Sequence, residues 1–192
     1  FDQDDRLSDY SEPQRFQTGE FGEKLTSQNW FQIEKIKPVA FKKNDDGSYF
    51  ADFGKDAFGT LEINYSAQKS ETLTIRLGEK LLDGKIDRNP GGTIRFTEIK
   101  IYVSPEKTSY QIELNADERN TGKAAIALPD SFPVITPFRY VEIERDFDPI
   151  AIGFPKSKLN DLKPEDLTQI AYFNYFDNST SSFTSSNTIL NQ

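Results

Sequence analysis

The stretch that decides the fold is DGSYFADFGKDAFGTLEINY, residues Asp46–Tyr65. Apolar side chains recur at every second position over Tyr49–Phe53, and the same alternation returns over Leu61–Tyr65. A period of two is the pattern of a β-strand with one buried face and one solvated face. Gly54 and Gly59 bracket the intervening segment, where a residue without Cβ can take up turn conformations. We therefore predict two neighbouring strands of a sandwich core, joined by a compact turn.

Short alternating runs recur along the rest of the chain and are separated by turn-forming clusters. The strongest lie at Leu73–Leu77, Thr93–Val103, Tyr110–Leu114 and Pro137–Glu144. Apolar positions within Thr93–Val103 change phase, which predicts a bulge or bend in a long strand. Aromatic residues make up 13% of the chain, and aromatic enrichment favours strands over helices. The chain is therefore predicted to be all-β, forming an antiparallel β-sandwich.

Composition restricts the classes of function that are open to this protein. Acidic residues outnumber basic ones by 31 to 23, giving a net charge of −8 and arguing against nucleic-acid or anionic-membrane partners. The absence of Cys and His excludes structural disulfides, thiolate or imidazole metal sites and His-based catalytic triads. No apolar run approaches the roughly 20 residues of a membrane-spanning helix, so no membrane insertion is predicted. Nor does the sequence predict a cofactor.

Three regions of different character divide the chain. Residues 1–37 are predicted to form an irregular N-terminal arm packed on the sandwich, and residues 38–148 the sandwich domain. Residues 149–192 are predicted to be a connector with a last strand at Ala171–Phe176, preceded by one helical turn at Lys163–Leu167. The Ser- and Thr-rich run at 178–188 is either a linker or the cap of a helix that leads into a further domain.

Three segments carry a resemblance to a known family. They are DFGKDAFGTLEI at 52–63, LGEKLLDGKIDR at 77–88 and PFRYVEIE at 137–144. In this order and spacing they resemble the β-sandwich module that precedes the catalytic domain of bacterial α-L-rhamnosidases, which are inverting glycoside hydrolases. The closing FTSSNTILNQ, residues 183–192, is similar to that family's entry into its (α/α)6 catalytic barrel. The resemblance covers residues 46–192 and implies a galactose-binding-like jelly roll, truncated before the barrel.

The resemblance also implies what the chain lacks. The family's catalytic carboxylates sit on the barrel, so no catalytic residue can be carried over and we expect the chain to be inactive alone. Its expected role is to support the barrel, its partner in the same polypeptide, and to contact rhamnose-containing glycan. The expected location is the periplasm or cell surface, with an export signal outside this sequence. The alternatives are a stand-alone carbohydrate-binding protein and a glycosidase that uses an Asp/Glu pair of this domain.

Two places are candidate carbohydrate sites. Asp87, Arg88 and Asn89 lie in a polar loop, where carboxylate and guanidinium groups suit the vicinal hydroxyls of a sugar. The same Asp-Gly and Asn-Pro-Gly-Gly sequences are also simple turn formers. Trp30 is the single Trp of the chain and could stack on a sugar ring, although a lone Trp is more often an anchor in a core or interface.

Aromatic side chains on both faces of the last predicted strand suggest a covered surface. The residues concerned are Tyr172, Phe173, Tyr175 and Phe176. A strand covered by a neighbouring domain has this composition, and so does a binding platform; we favour the interface. The pairs Asp4-Asp5 and Asp45-Asp46 are read as solvated charges, so no metal site is predicted.

Overall fold

A computed structural model describes residues 31–123, 128, 131–145 and 161–174. The chain divides into two units, Phe1–Trp30 and Phe31–Gln192, and all described residues belong to the second. Most of the predicted N-terminal arm therefore lies outside the described residues. Its last part, Phe31–Ile36, forms a strand.

The described residues form ten strands, one short helix and one 3-10 turn. The strands are β1 (Phe31–Ile36), β2 (Ala40–Lys43), β3 (Tyr49–Asn64), β4 (Glu71–Gly78), β5 (Leu81–Leu82), β6 (Lys85–Ile86), β7 (Phe96–Val103), β8 (Ser109–Gln111), β9 (Thr136–Arg145) and β10 (Leu167–Asn174). The helix α1 spans Glu118–Thr121, and the 3-10 turn at Pro164–Asp166 begins with Pro, as predicted. All pairings between these strands are antiparallel, which confirms the all-β antiparallel class.

The predicted turn within Asp46–Tyr65 is wrong, because β3 is one continuous strand of 16 residues. In its pairing with β9, Asp52 lies opposite Tyr140 and Ala57 opposite Phe138, so residues 53–56 face Arg139 alone. This bulge absorbs the Gly- and Asp-containing segment without reversing the chain. Gly54 lies in it with a φ of +80°, a conformation that glycine adopts readily.

β3 connects the two halves of the sandwich. The sheet order is β1-β10-β3-β9-β4-β7, with β2 and β8 also paired to β3. Along one edge of β3 lie β9 and then β8, and along the other lie β2 and then β10. The first half of β3 therefore belongs with β2, β9, β4 and β7, and the second half with β10, β1 and β8. Strands that pass between sheets in this way typically do so at a bulge or bend.

The core lies on one face of both halves of β3. Tyr49, Phe53, Leu61 and Ile63 are buried, and all four fall on the alternation that the sequence shows. They belong to one hydrophobic cluster that also takes in side chains from β4, β7, β8, β9 and β10. Its members from those strands include Leu73, Ile75, Leu77, Val103, Tyr110, Phe138, Val141, Ile143 and Leu167.

Two further strand predictions need correction. The phase change in Thr93–Val103 is not a bulge, because β7 begins at Phe96 and pairs with β4 in unbroken register to Val103. The last strand, β10, begins at Leu167 rather than Ala171, since it pairs with β3 from that residue onward. Among the described residues, no helix has the length and apolar character needed to cross a membrane.

Candidate functional site

The predicted polar loop is held in place by its own charged side chains. Asp87 is buried, and one carboxylate oxygen accepts the Asn89 backbone N–H at 3.0 Å. The other oxygen lies 3.5 Å from the Lys80 ammonium. Arg88 forms an ion pair with Glu142 on β9, and its guanidinium lies 5.2 Å from the centroid of the Phe96 ring. These are the contacts of a structured turn, and sugar binding by Asp87, Arg88 and Asn89 stays a prediction.

The predicted aromatic surface is described in part, since Trp30, Tyr175 and Phe176 lie outside the described residues. Tyr172 packs edge-on against Phe31 and Phe132, at 6.3 Å between ring centroids in each case. Phe173 lies beneath the Lys55 ammonium, 5.1 Å from the ring centroid. Consecutive residues of a strand point to opposite faces, so β10 carries rings on both sides. Whether these rings meet another domain stays a prediction.

An apolar row crosses the face of the sheet opposite the core. Ile33 on β1 pairs with Tyr172 on β10, and Phe58 on β3 pairs with Pro137 on β9. Tyr172 follows Ala171, which pairs with Gly59, so Tyr172 and Phe58 share this face. Ile33 is 57% exposed and Phe58 46%. We call Ile33, Tyr172, Phe58 and Pro137 the outer row.

A pair of carboxyl groups that the sequence analysis missed lies at the end of the outer row. The bulge in β3 turns Asp56 towards Glu79, which follows the end of β4, and their side chains share a hydrogen bond. Burial raises the pKa of Asp56 to about 7, helped by the hydrogen bond to Glu79 and its negative charge and opposed by Arg139. Glu79 also accepts the backbone N–H of Arg95. Asp56 therefore keeps its proton to a higher pH than an ordinary aspartic acid does.

Arginine side chains and further carboxylates fix the surroundings of this pair. Arg139 binds Asp52 through two hydrogen bonds of 2.7 and 2.9 Å, which lower the pKa of that carboxyl. The Arg95 Nε lies 3.2 Å from Asp117, and Asp117 in turn pairs with Arg119 at 2.6 Å. Hydrogen bonding to Arg119 is the main cause that holds the pKa of Asp117 at about 2. Charges of both signs thus surround Asp56 and Glu79.

The carboxyl pair opens into a pocket of about 300 Å³. Its lining residues are Asp56, Ala57, Phe58, Glu79, Thr93, Arg95 and Pro137. No spacing in the sequence brings Asp56 and Glu79 together, because they meet only through the bulge and the pairing of separate strands. Both residues do lie within the segments DFGKDAFGTLEI and LGEKLLDGKIDR, which was the one available signal.

A second pocket, of about 340 Å³, lies near the 3-10 turn. It is lined by Asn64, Tyr65, Ser66, Thr108, Asp161, Leu162 and Asp166. In the part of the chain that the structure describes, no group of three or more acidic side chains is placed to hold a metal ion.

Residues 42–156 match the family described as "Bacterial alpha-L-rhamnosidase concanavalin-like domain". The chain belongs to this family. The resemblance to the β-sandwich region of bacterial α-L-rhamnosidases is thereby confirmed. The finer description as a galactose-binding-like jelly roll stays a prediction, since the matched domain is described as concanavalin-like.

Comparison with individual proteins adds one solved structure. The crystal structure of native α-L-rhamnosidase from Aspergillus terreus is similar, with a TM-score of 0.48 and 17% sequence identity over 74% of this chain. The rhamnosidase-family chain described here spans 14% of that enzyme. No curated protein matches the chain.

The raised pKa of Asp56 predicts a dependence of stability on pH that Asp56→Asn removes. The native state binds the Asp56 proton up to pH 7 while the unfolded carboxyl has a pKa of 3.8, so native stability falls as pH rises from about 4 to 7. The full shift corresponds to ~4 kcal/mol, which solvent screening at this partly exposed carboxyl reduces to about 1–2 kcal/mol. An asparagine amide also donates to Glu79 and carries no charge.

We therefore expect Asp56→Asn to gain stability relative to the parent chain by about 1–2 kcal/mol between pH 4 and pH 8. Urea unfolding across this pH range measures the difference. The charged groups that face Asp56 are Glu79, Arg95 and Arg139. Because both proteins contain them, their contributions to the pH dependence of stability largely cancel in the difference. The control Asp45→Asn changes an exposed turn residue and should leave the pH profile unaltered. If the difference in unfolding free energy between Asp56→Asn and the parent chain did not change with pH, the raised pKa of Asp56 would be contradicted.

Proposed function

We propose that this chain is a non-catalytic accessory module of an α-L-rhamnosidase, which supports a catalytic (α/α)6 barrel of the same polypeptide and contacts rhamnose-containing glycan. The family match over residues 42–156 is the observation that carries the proposal. Its place of action is the periplasm or the cell surface, where such glycans are accessible. Nucleic acid and membrane insertion have no part in it.

The geometry of the carboxyl pair supports a role without chemistry. Retaining glycosidases hold their two carboxyl groups about 5–5.5 Å apart, and inverting glycosidases about 6.5–9.5 Å apart. Asp56 and Glu79 lie within hydrogen-bonding reach of each other instead, closer than either separation. The raised pKa of Asp56 resembles that of a general acid, but the pair cannot act on two sides of a sugar.

The outer row supports contact with a neighbouring domain. Ile33 is a large apolar side chain that remains 57% exposed on one sheet face, next to Tyr172. Contiguous exposed apolar surface typically marks a protein interface. In the proposal, the barrel covers this face around Ile33 and Tyr172 and leaves Phe58 open. The contact extends to Phe173 and to the predicted interface residues Tyr175 and Phe176.

Hydrolysis of an aryl α-L-rhamnoside tests the non-catalytic assignment. We expect the purified 192-residue chain to release no more aryl alcohol than a heat-denatured sample of the same protein. Turnover that saturates with substrate and is lost in the Asp56→Asn or Glu79→Gln variant would refute the assignment. Activity that both variants retain in full would instead indicate a contaminating hydrolase.

A stand-alone carbohydrate-binding protein is the second candidate function. The observation that favours it is the pocket at Asp56 and Glu79, which combines polar side chains with the half-exposed ring of Phe58. Addition of a separately produced rhamnosidase barrel distinguishes the two functions. An accessory module should bind the barrel and lose affinity when Ile33 or Tyr172 is replaced by serine, whereas a stand-alone protein should not bind it.

A further inference from the structure

The pocket beside the β3 bulge has one polar and one apolar side. Its polar lining residues are Asp56, Glu79, Thr93 and Arg95, and its apolar ones are Ala57, Phe58 and Pro137. At about 300 Å³ it lies at the lower end of the range for small-molecule sites, about 300–1,000 Å³. A ligand that fits both sides is small and has hydroxyl groups along one edge and C–H groups on one face.

The polar side is rigid before any ligand arrives. Glu79 is fixed by the Asp56 side chain and by the backbone N–H of Arg95. The Arg95 guanidinium is held by Asp117 at 3.2 Å, by Asn120 at 3.2 Å and by the Thr93 carbonyl. Because these side chains are already ordered, ligand binding costs little of their conformational entropy.

The hydrogen-bonding pattern of the carboxyl pair suits a neutral polyol. The carboxyl oxygens of Asp56 and Glu79 have lone pairs that can accept hydrogen bonds from hydroxyl groups. An acidic sugar would be repelled by the chain's net charge of −8.

The apolar side of the pocket offers an aromatic ring on which the face of a sugar can stack. Phe58 is 46% exposed and pairs across the strands with Pro137, so its ring is supported from the side. Exposed rings next to polar groups provide large rigid contact area at low entropic cost. By contrast, Asp87 and Arg88 in the predicted sugar-binding loop are engaged with Lys80 and Glu142.

We propose that this pocket binds one pyranose ring of a neutral glycan, with the ring's apolar face against Phe58 and its hydroxyl groups bound to Asp56 and Glu79. The proposal rests on the proposed function and deepens it, because it assigns glycan contact to a defined site. The site selects a neutral sugar with adjacent hydroxyl groups on the edge that enters the pocket.

Titration of the full chain with methyl α-L-rhamnopyranoside, followed by calorimetry and by amide chemical shifts, tests the site. We expect Phe58→Ala and Glu79→Gln each to weaken binding at least tenfold, which corresponds to about 1.4 kcal/mol. Phe58→Tyr retains the ring and should bind within twofold of the parent chain. It also keeps the test valid if Phe58→Ala is poorly folded. Arg88→Ala, in the loop first predicted from sequence, should likewise have no effect.

Each other outcome overturns the site in a distinguishable way. Binding that is lost in Arg88→Ala but kept in the Phe58 and Glu79 variants would place glycan contact in the loop and leave the accessory role intact. If the chain bound neither the rhamnoside nor methyl galactoside nor methyl glucoside, the site would be rejected. The accessory role is decided separately, by the hydrolysis and barrel-binding assays. Binding of Ca²⁺ that Glu79→Gln abolishes, without binding of any sugar, would make the pocket a cation site.

Discussion

Replacing Phe138 by alanine should lower the free energy of unfolding by about 3–5 kcal/mol, the usual cost of removing a buried aromatic ring. Phe138 on β9 is completely buried and meets Phe53 edge to face, with ring centroids 6.0 Å apart. It pairs with Ala57 where β3 resumes its regular register after the bulge. The cavity would therefore open at the junction between the two halves of the sandwich, where the backbone has little freedom to collapse.

Urea unfolding measures this loss, and two further variants calibrate it. Phe138→Leu keeps most of the apolar volume and should cost clearly less than alanine. Tyr102→Ala removes a ring that is 67% exposed on β7 and should change stability by no more than about 0.5 kcal/mol. If Phe138→Ala cost as little as Tyr102→Ala, Phe138 would not belong to the core as described.

Gly59→Ala is the second substitution with a large expected effect, about 3 kcal/mol or more. A Cβ added at Gly59 would lie 2.4 Å from the backbone carbonyl oxygen of Ile170 and 3.1 Å from its carbon. Both atoms belong to β10, so no side chain can rotate away. The pairing between β3 and β10, in which Gly59 lies opposite Ala171, would have to separate. Buried backbone groups would then lose their partners.

Gly84→Ala is the matched control for this variant. Gly84 has a φ of +77° and no atom within 4 Å of an added Cβ, so alanine there costs only the left-handed conformation, about 1–2 kcal/mol. Amide hydrogen exchange along β10 should accelerate in Gly59→Ala and stay unchanged in Gly84→Ala. If the two substitutions lowered stability equally, β3 and β10 would be able to move apart at Gly59 without a loss of stability from their pairing.

The alternation of side chains predicted most of the strands correctly because their inner faces are buried in one core. Leu73–Leu77 and Pro137–Glu144 lie in β4 and β9 as predicted. The turn at Gly54 was wrong for a physical reason: the segment is stabilised as a bulge by pairing with distant β9, including the bond between Asp52 and Arg139. Local sequence contains the glycine but not that partner.

The candidate site was harder to predict than the fold. The sequence indicated Asp87–Asn89 because polar residues between strong strands are usually exposed, yet Asp87 is buried by its contacts with Lys80 and Asn89. Asp56 and Glu79 lie in separate segments of the sequence, and no spacing links them. Only the bulge in β3 and the end of β4 bring the two carboxyls into contact, and that contact adds to the effect of burial in raising the pKa of Asp56.

The continuity of β3 has a consequence for how this protein reaches its native state. One uninterrupted backbone segment supplies an inner face to each layer, so neither layer can bury its apolar side chains while the other is absent. The partners of that segment, β9 and β10, lie far away in the chain, which makes the first productive encounter entropically costly and slow. The two layers must consequently appear together and melt together, as a single cooperative unit.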